Sequence, residues 1–254
     1  HAHEDHLGAV AHLWPQLRCP IYATPFAASV LRRKLGDTGL LYDAVITEVP
    51  LGGKFALGPF DFELITMTHS IPEPNAVSIR TPAGAILHTG DWKIDPQPLL
   101  GEVTDEAALR KLGDGGVLAM VCDSTNVFVP GEAGSESDVR KALTELVGQC
   151  RHRVAVTCFA SNLARVESVA WAADANGRHP VLIGRAINRM VEAARENGYL
   201  ADMPRTIDEK EAAWLPREKV LMICTGSQGE NGAAMYRLAY DEHPTLHLER
   251  DDTV

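Results

Sequence analysis

His1-Ala2-His3-Glu4-Asp5-His6 packs three imidazoles and an aspartate, four potential metal ligands, into six residues. Side chains alternate in an extended segment, so His1 and His3 point to one side, while Asp5 and His6, at the turn that follows, face a second position nearby. One segment can therefore serve two metal ions. Imidazole nitrogens and a carboxylate oxygen are what zinc accepts, and a set of this size leaves positions for water, as a catalytic site requires. A purification tag is a homopolymer, whereas this stretch is spaced, carries Glu4 and Asp5, and runs into the apolar segment Leu7 to Leu17, which reads as the start of a helix. No initiator methionine precedes it, so the chain reads as a fragment cut inside a domain. Asp251-Asp252-Thr253-Val254 looks equally unfinished.

With 254 residues and 45% hydrophobic content the chain buries a substantial core, in one large domain or two smaller ones. No apolar run reaches the roughly 18 residues of a membrane span and no signal peptide is visible, so the cytoplasm is expected and a membrane partner is not. Cys19, Cys122, Cys150, Cys158 and Cys224 form no Cys-x-x-Cys pair, and several lie in apolar strand-like runs. Buried reduced thiols are the expectation. The net charge of -10 excludes a protein that holds nucleic acid by bulk electrostatics alone. It does not exclude a nucleic-acid enzyme, because a metal centre supplies local positive charge. Arg32-Arg33-Lys34, Arg151-His152-Arg153 and the Arg185/Arg189 pair read as solvated faces or as groove linings.

The pattern along the chain predicts an α/β fold. Ile21 to Ala23 reads as a strand, Pro25 opens a helix to about Leu35, and Ala44 to Val49 reads as the next strand. Phe60 to Met67, Ala76 to Thr81 and Ala85 to His88 are β-like, the last two joined by a Pro82-Ala83-Gly84 turn. Beyond Gly116 strands and helices alternate, which implies parallel strands with crossover helices. The strands are Gly116 to Cys122, Val154 to Phe159, Val181 to Ile183, Val220 to Cys224 and Thr245 to Leu248; the helices run from Ser135 or Ser137 to about Val147, and over Asn162 to Asn176, Asn188 to Asn197 and Gly232 to Ala239. Three loops follow the C-terminal ends of such strands: Phe159-Ala160-Ser161-Asn162, Gly184-Arg185-Ala186 and Thr225-Gly226-Ser227-Gln228-Gly229-Glu230. That edge is where α/β sheets bind ligands, although Gly, Ser and Asn are also ordinary turn residues.

His69 and Asp91 each follow a predicted strand and acquire meaning beside the opening motif. An aspartate between two metal ions can bridge them, and such a pair activates water near neutral pH. Hydrolysis is the expected chemistry. The order His1-x-His3-x-Asp5-His6, His69, Asp91 resembles the metallo-β-lactamase fold. Longer strings narrow the resemblance: Met67-Thr68-His69-Ser70-Ile71-Pro72, His88-Thr89-Gly90-Asp91-Trp92-Lys93-Ile94-Asp95, Cys122-Asp123-Ser124-Thr125-Asn126, Phe159 to Asn162 and Thr225 to Glu230 are similar to ribonuclease J, of the β-CASP branch.

The resemblance implies a partial metallo-β-lactamase αββα sandwich over residues 1–130, an inserted Rossmann-like β-CASP domain over 131–244, and a return to the first domain over 245–254. It implies two zinc ions, with His1, His3 and His69 on one, Asp5 and His6 on the other, and Asp91 bridging. Asp5, Asp91 and Asp123 would be the catalytic carboxylates, Asp123 organising hydrogen bonds around the metals and the acid that protonates the leaving group. Ser161, Asn162, Gly184, Arg185, Ser227 and Gln228 would line an RNA channel. The implied activity is 5′-3′ exonucleolytic and endonucleolytic cleavage of single-stranded, 5′-monophosphorylated RNA in RNA processing and decay. A homodimer or tetramer and RNA-decay partners are implied as well.

In this family the last zinc-ligand histidine and a general-acid histidine lie in a segment resembling His-x-Ser-Gly-His. The sequence stops before one; His243 and His247 stand in another context and read as structural. An incomplete second site and little activity of the chain alone are therefore expected. The competing readings are a small-molecule hydrolase of the same superfamily, which needs no strand-helix insertion, and a catalytically incomplete RNA-binding protein, which needs no six-ligand set.

Overall fold

In a computed structural model, which describes residues 1–254, the chain divides into two units, His1–Ser135 and Glu136–Val254. The first begins with helices α1 (Glu4–Leu7) and α2 (Val10–Leu17), strand β1 (Ile21–Ala23), helix α3 (Pro25–Asp37) and strand β2 (Ile46–Glu48). Pro25 occupies the first helical turn, where its missing N–H costs nothing. Leu31 and Leu35 on one face of α3 pack with Ala11 and Ala44, and β1 and β2 pair in parallel.

A five-stranded sheet follows, ordered β3 (Lys54–Leu57), β4 (Phe60–Thr66), β5 (Asn75–Thr81), β6 (Gly84–His88) and β7 (Ala119–Val121), with helix α4 (Glu106–Asp114) between the last two. The first four strands are antiparallel neighbours and β7 runs parallel to β6. Two antiparallel steps restore direction, so β4, β6 and β7 all point the same way and end at one edge. Alternation fixes the register: Ala76 and Ser78 of β5, and Ala85 and Leu87 of β6, are the buried positions. A slip by one residue would expose that whole set. Ile65, Met67, Ala76, Ala85, Leu87 and Leu112 of α4 form the core here.

The second unit alternates as expected: helix α5 (Glu136–Gln149), strand β8 (Val154–Thr157), helix α6 (Leu163–Ala175), strand β9 (His179–Ile183), helices α7 (Arg185–Glu196) and α8 (Glu209–Trp214), strand β10 (Val220–Cys224) and helix α9 (Ala234–Ala239). The three strands are parallel in the order β8-β10-β9. Central β10 is buried at every residue, which explains its unbroken apolar sequence. Asn162 caps α6 by accepting the Arg165 amide at 3.0 Å. Arg140 meets Glu167 at 2.6 Å and Arg165 meets Glu136 at 2.9 Å, pinning α5 to α6.

The predicted strand Thr245 to Leu248 does not form. Pro244 has no N–H to offer and His243 Nδ1 takes the Leu246 amide at 3.2 Å, so the segment turns locally while Leu246 is buried beside β10. The chain meets the sheet later instead: Thr253 bridges Val154 in parallel and accepts the Ala155 amide at 2.8 Å. Residues 245–254 thus pack within the second unit. Helix α7 begins at Arg185, not Asn188, and the strand expected to reach Phe159 ends at Thr157. The thiol expectation holds for Cys158 and Cys224, but Cys19 and Cys122 are exposed; all five are free. His243 is buried near Glu209, at 3.6 Å, and His247 is exposed beside Asp241. No helix is long and apolar enough to cross a membrane.

Ile223 lies wholly buried in β10. Replacing it with Ala removes methylenes from the buried central strand of the parallel sheet and lowers stability by about 2–5 kcal/mol. Urea denaturation followed by circular dichroism measures the shift.

Candidate metal centre

The sheet edge explains why distant residues converge. His69 follows β4, Asp91 follows β6 and Asp123 follows β7, the three strands that end together. Gly90 makes the turn before Asp91 at φ +58, and a Cβ on it would sit 3.0 Å from the Asn75 carbonyl oxygen. Only glycine satisfies both conditions. The opening hexapeptide supplies the other ligands. His3 is extended (φ -68, ψ 154) and its carbonyl accepts the His6 and Leu7 amides, both at 3.1 Å, so the chain turns into α1 after His3 and sends Asp5 and His6 elsewhere.

Two groups of donors result. One ligand atom each from His1, His3, His69 and Asp91 lie within 4.8 Å of one another, and so do those of Asp5, His6 and Asp91. Asp91 belongs to both. Its Oδ2 lies 3.1 Å from His6 Nε2, 3.6 Å from His1 Nε2 and 4.0 Å from His69 Nε2. His69 Nε2 stands 3.2 Å from His3 Nδ1, and Asp5 Oδ2 stands 3.7 Å from His6 Nε2. All six expected ligands are therefore brought together.

The residues fit a metal on evidence of their own. His1 Nε2 is buried without a hydrogen-bond partner, at the place where the other ligand nitrogens converge. Such an orphan calls for an electrophile or a donor. Burial, reinforced by the neighbouring His69, pushes His3 down to about 4, and burial likewise lowers His69. Both rings are neutral at neutral pH and keep the lone pairs that coordination needs. Imidazole with carboxylate is a donor set of the zinc type. Ser70 Oγ, 3.3 Å from His3 Nε2, helps to orient that ring; sequence reasoning misses it, because adjacency to His69 says nothing about contact with His3.

Asp123 reaches the same edge but is in neither donor group. Its Oδ1 accepts the Thr125 amide at 2.9 Å and the Thr125 hydroxyl, and its own amide donates to Thr89 Oγ1 at 3.1 Å. The Thr125 hydrogen bonds, with a further one from the Trp92 amide, hold this carboxyl below the usual range and keep it ionised. In the second unit the three anticipated loops do share one edge, at the ends of β8, β9 and β10. Gly184 (φ +117) starts α7, and a Cβ there would stand 3.1 Å from Thr225 Oγ1, so two of the loops touch. Arg185 is the first residue of α7, Ser161 and Asn162 enter α6, and the Gln228 amide donates to Glu230 Oε2 at 3.0 Å. The Asn162 side-chain oxygen is already engaged as a helix cap.

Residues 151–254 match the family model described as Ribonuclease J, beta-CASP domain. A crystal structure of a protein of unknown function from Enterococcus faecalis V583 has the same fold, with a TM-score of 0.59 at 15% identity over 87% of this chain and 60% of that one. Fold, site and domain match together define a protein of the metallo-β-lactamase superfamily, in its β-CASP branch. Across its full length the chain is 44% identical to Ribonuclease J of Sinorhizobium meliloti, 38% to that of Thermus thermophilus and 40% to that of Mycolicibacterium smegmatis. Residues 151–254 thus carry the β-CASP domain of ribonuclease J, and the likeness of the whole chain to part of these ribonucleases implies dependence on a metal. The chain spans 45–46% of the length of these relatives.

The low value of His3 has a measurable sign. Its ordinary value is 6.5 and its folded value about 4, so between them the unfolded chain takes up a proton that the folded site refuses. Stability of the metal-free protein is therefore complete above about pH 6.5 and is lost as pH falls towards about 4. Thermal unfolding across that window is expected to show the loss, and His3→Asn to lessen it.

Proposed function

We propose that the protein is a zinc-dependent ribonuclease that hydrolyses phosphodiester bonds of RNA, both endonucleolytically and from the 5′ end, in RNA processing and decay. The observation that carries this reading is the position of Asp91, one carboxylate within reach of two separate donor groups. His1, His3 and His69 would hold one ion, Asp5 and His6 the other, and Asp91 both. When bound, a metal pair lowers the pKa of water to about 7 and polarises a phosphoryl oxygen.

The remaining work falls to the chain. Asp123, ionised and fixed by Thr125 and Trp92, places a hydrogen-bond acceptor at the edge occupied by the ligands and helps to organise the acid that protonates the departing ribose oxygen. Ser161, Gly184, Arg185, Ser227 and Gln228 offer hydroxyls, amides and a guanidinium at one edge of a parallel sheet, where phosphates bind well. Single-stranded RNA with a 5′ monophosphate is the substrate these groups suit. In-line displacement of the ribose 3′ oxygen leaves a 5′ phosphate on the product. The β-CASP match over 151–254 favours RNA over the small substrates of other metallo-β-lactamase hydrolases. We assign residues 1–130 to the metallo-β-lactamase domain and 131–244 to the β-CASP domain, which the division after Ser135 supports. Five free thiols support a reducing compartment, the cytoplasm.

A cleavage assay on the protein at the full length of its relatives compares 5′-monophosphorylated with 5′-triphosphorylated single-stranded RNA, before and after chelation. The monophosphate is cleaved faster, chelation abolishes cleavage, and Asp91→Ala lowers kcat/KM on the order of a thousandfold. Equal cleavage by wild type and Asp91→Ala would reject the metal mechanism.

A further inference from the structure

Between the end of β4 and the start of α4, two buried hydroxyls face each other. Thr68 is 2% exposed and Thr104 is 8% exposed. Their Oγ1 atoms stand 2.7 Å apart, and the Thr68 amide donates to Thr104 Oγ1 at 3.0 Å. On its other side, the Thr68 carbonyl accepts the Lys93 amide at 2.8 Å. Thr68 immediately precedes His69, and Lys93 lies two residues beyond Asp91. The peptide groups of one residue therefore tie the His69 strand end to the Asp91 loop, and Thr104 holds that residue from outside.

The anchor is itself well founded. The Asp105 amide donates to the Thr66 carbonyl at 3.0 Å, so the 104–105 segment lies along the end of β4. Asp105 then caps α4 by accepting the Ala108 amide at 2.9 Å, and α4 buries Leu112 in the core under the sheet. Rigidity passes from the core through the helix cap to a single hydroxyl, and from there to the ligands.

We propose that Thr104 is a positioning residue for the metal centre, fixing through Thr68 the separation of His69 from Asp91. This rests on the metal-centre reading given above. A hydroxyl offers one donor and two acceptor positions, so Thr104 can accept the Thr68 amide and still pair with the Thr68 hydroxyl. Valine has the same shape and neither capacity. In Thr104→Val both Thr68 groups stay buried without partners, and the strand end shifts to find them. Groups that orient metal ligands typically change affinity 10–100-fold when removed.

The test measures zinc affinity by competition with a chromophoric chelator, together with the visible spectrum of the protein saturated with cobalt(II). Thr104→Val is expected to bind zinc on the order of tenfold more weakly and to give an altered cobalt spectrum, while Thr104→Ser restores both. Wild-type affinity and spectrum in Thr104→Val would overturn the proposal, whatever its thermal stability, because a purely structural hydroxyl changes stability alone. A measurement on the unsubstituted protein decides the matter if that variant does not fold: the Thr68 and Lys93 amides exchange with deuterium as slowly as the β5 amides without metal. Exchange at exposed-loop rates overturns it. Wild type that takes up no metal at all removes the metal-centre reading itself, an outcome distinct from intact binding in Thr104→Val.

Discussion

Everything at the centre turns on one carboxylate. Asp91 Oδ2 stands within 4.0 Å of His1, His6 and His69, and belongs to both donor groups. Protonated imidazoles crowded this closely repel one another, so metal binding requires His3 and His69 to stay largely neutral. Burial of His3 and His69 meets that requirement and outweighs the opposite pull of the Asp91 charge. The site is thus preorganised for an electrophile: its nitrogens keep their lone pairs, and its negative charge sits where the two groups meet.

Topology makes this possible at low cost in sequence. β4, β6 and β7 share a direction, so residues that follow them arrive at one edge although they are far apart in the chain. His69 and Asp91 need no long loops to meet. The second unit applies the same rule to β8, β9 and β10, whose trailing loops also share an edge. In both units the strands are fixed by buried apolar positions, and the polar chemistry occupies the loops that those strands position.

The cluster of candidate ligands was legible in the sequence because each residue belongs to a local pattern: alternation in the hexapeptide, or a polar residue just past an apolar strand. β1 and β10 matched their predicted bounds, since a short apolar run between turn residues has few alternatives. The strand expected at 245–248 failed because apolar spacing does not reveal that His243 consumes an amide locally. β3 was missed: it is a mostly exposed edge strand with no clear alternation. α4 and α8 were missed although Asp105 and Asp208 cap them, a signal the sequence did contain. Ser70 and Thr104 were invisible in principle, since their partners are 67 and 36 residues away and no periodicity connects them.

A net charge of -10 is an odd property for a protein proposed to act on a polyanion. The contradiction is resolved by location. Bulk acidity repels RNA only weakly at physiological salt, where fields beyond about 8 Å are screened. Around the proposed metal centre the balance would be different: the carboxylates of Asp5, Asp91 and Asp123 would be met by cations, and two divalent ions would exceed their combined charge. Arg185 adds a guanidinium at the second unit's loop edge. An acidic body also disfavours nonspecific capture of nucleic acid, so binding is confined to places where metal or arginine reverses the sign. On this reading the acidity makes the metal ions necessary for substrate recognition as well as for chemistry.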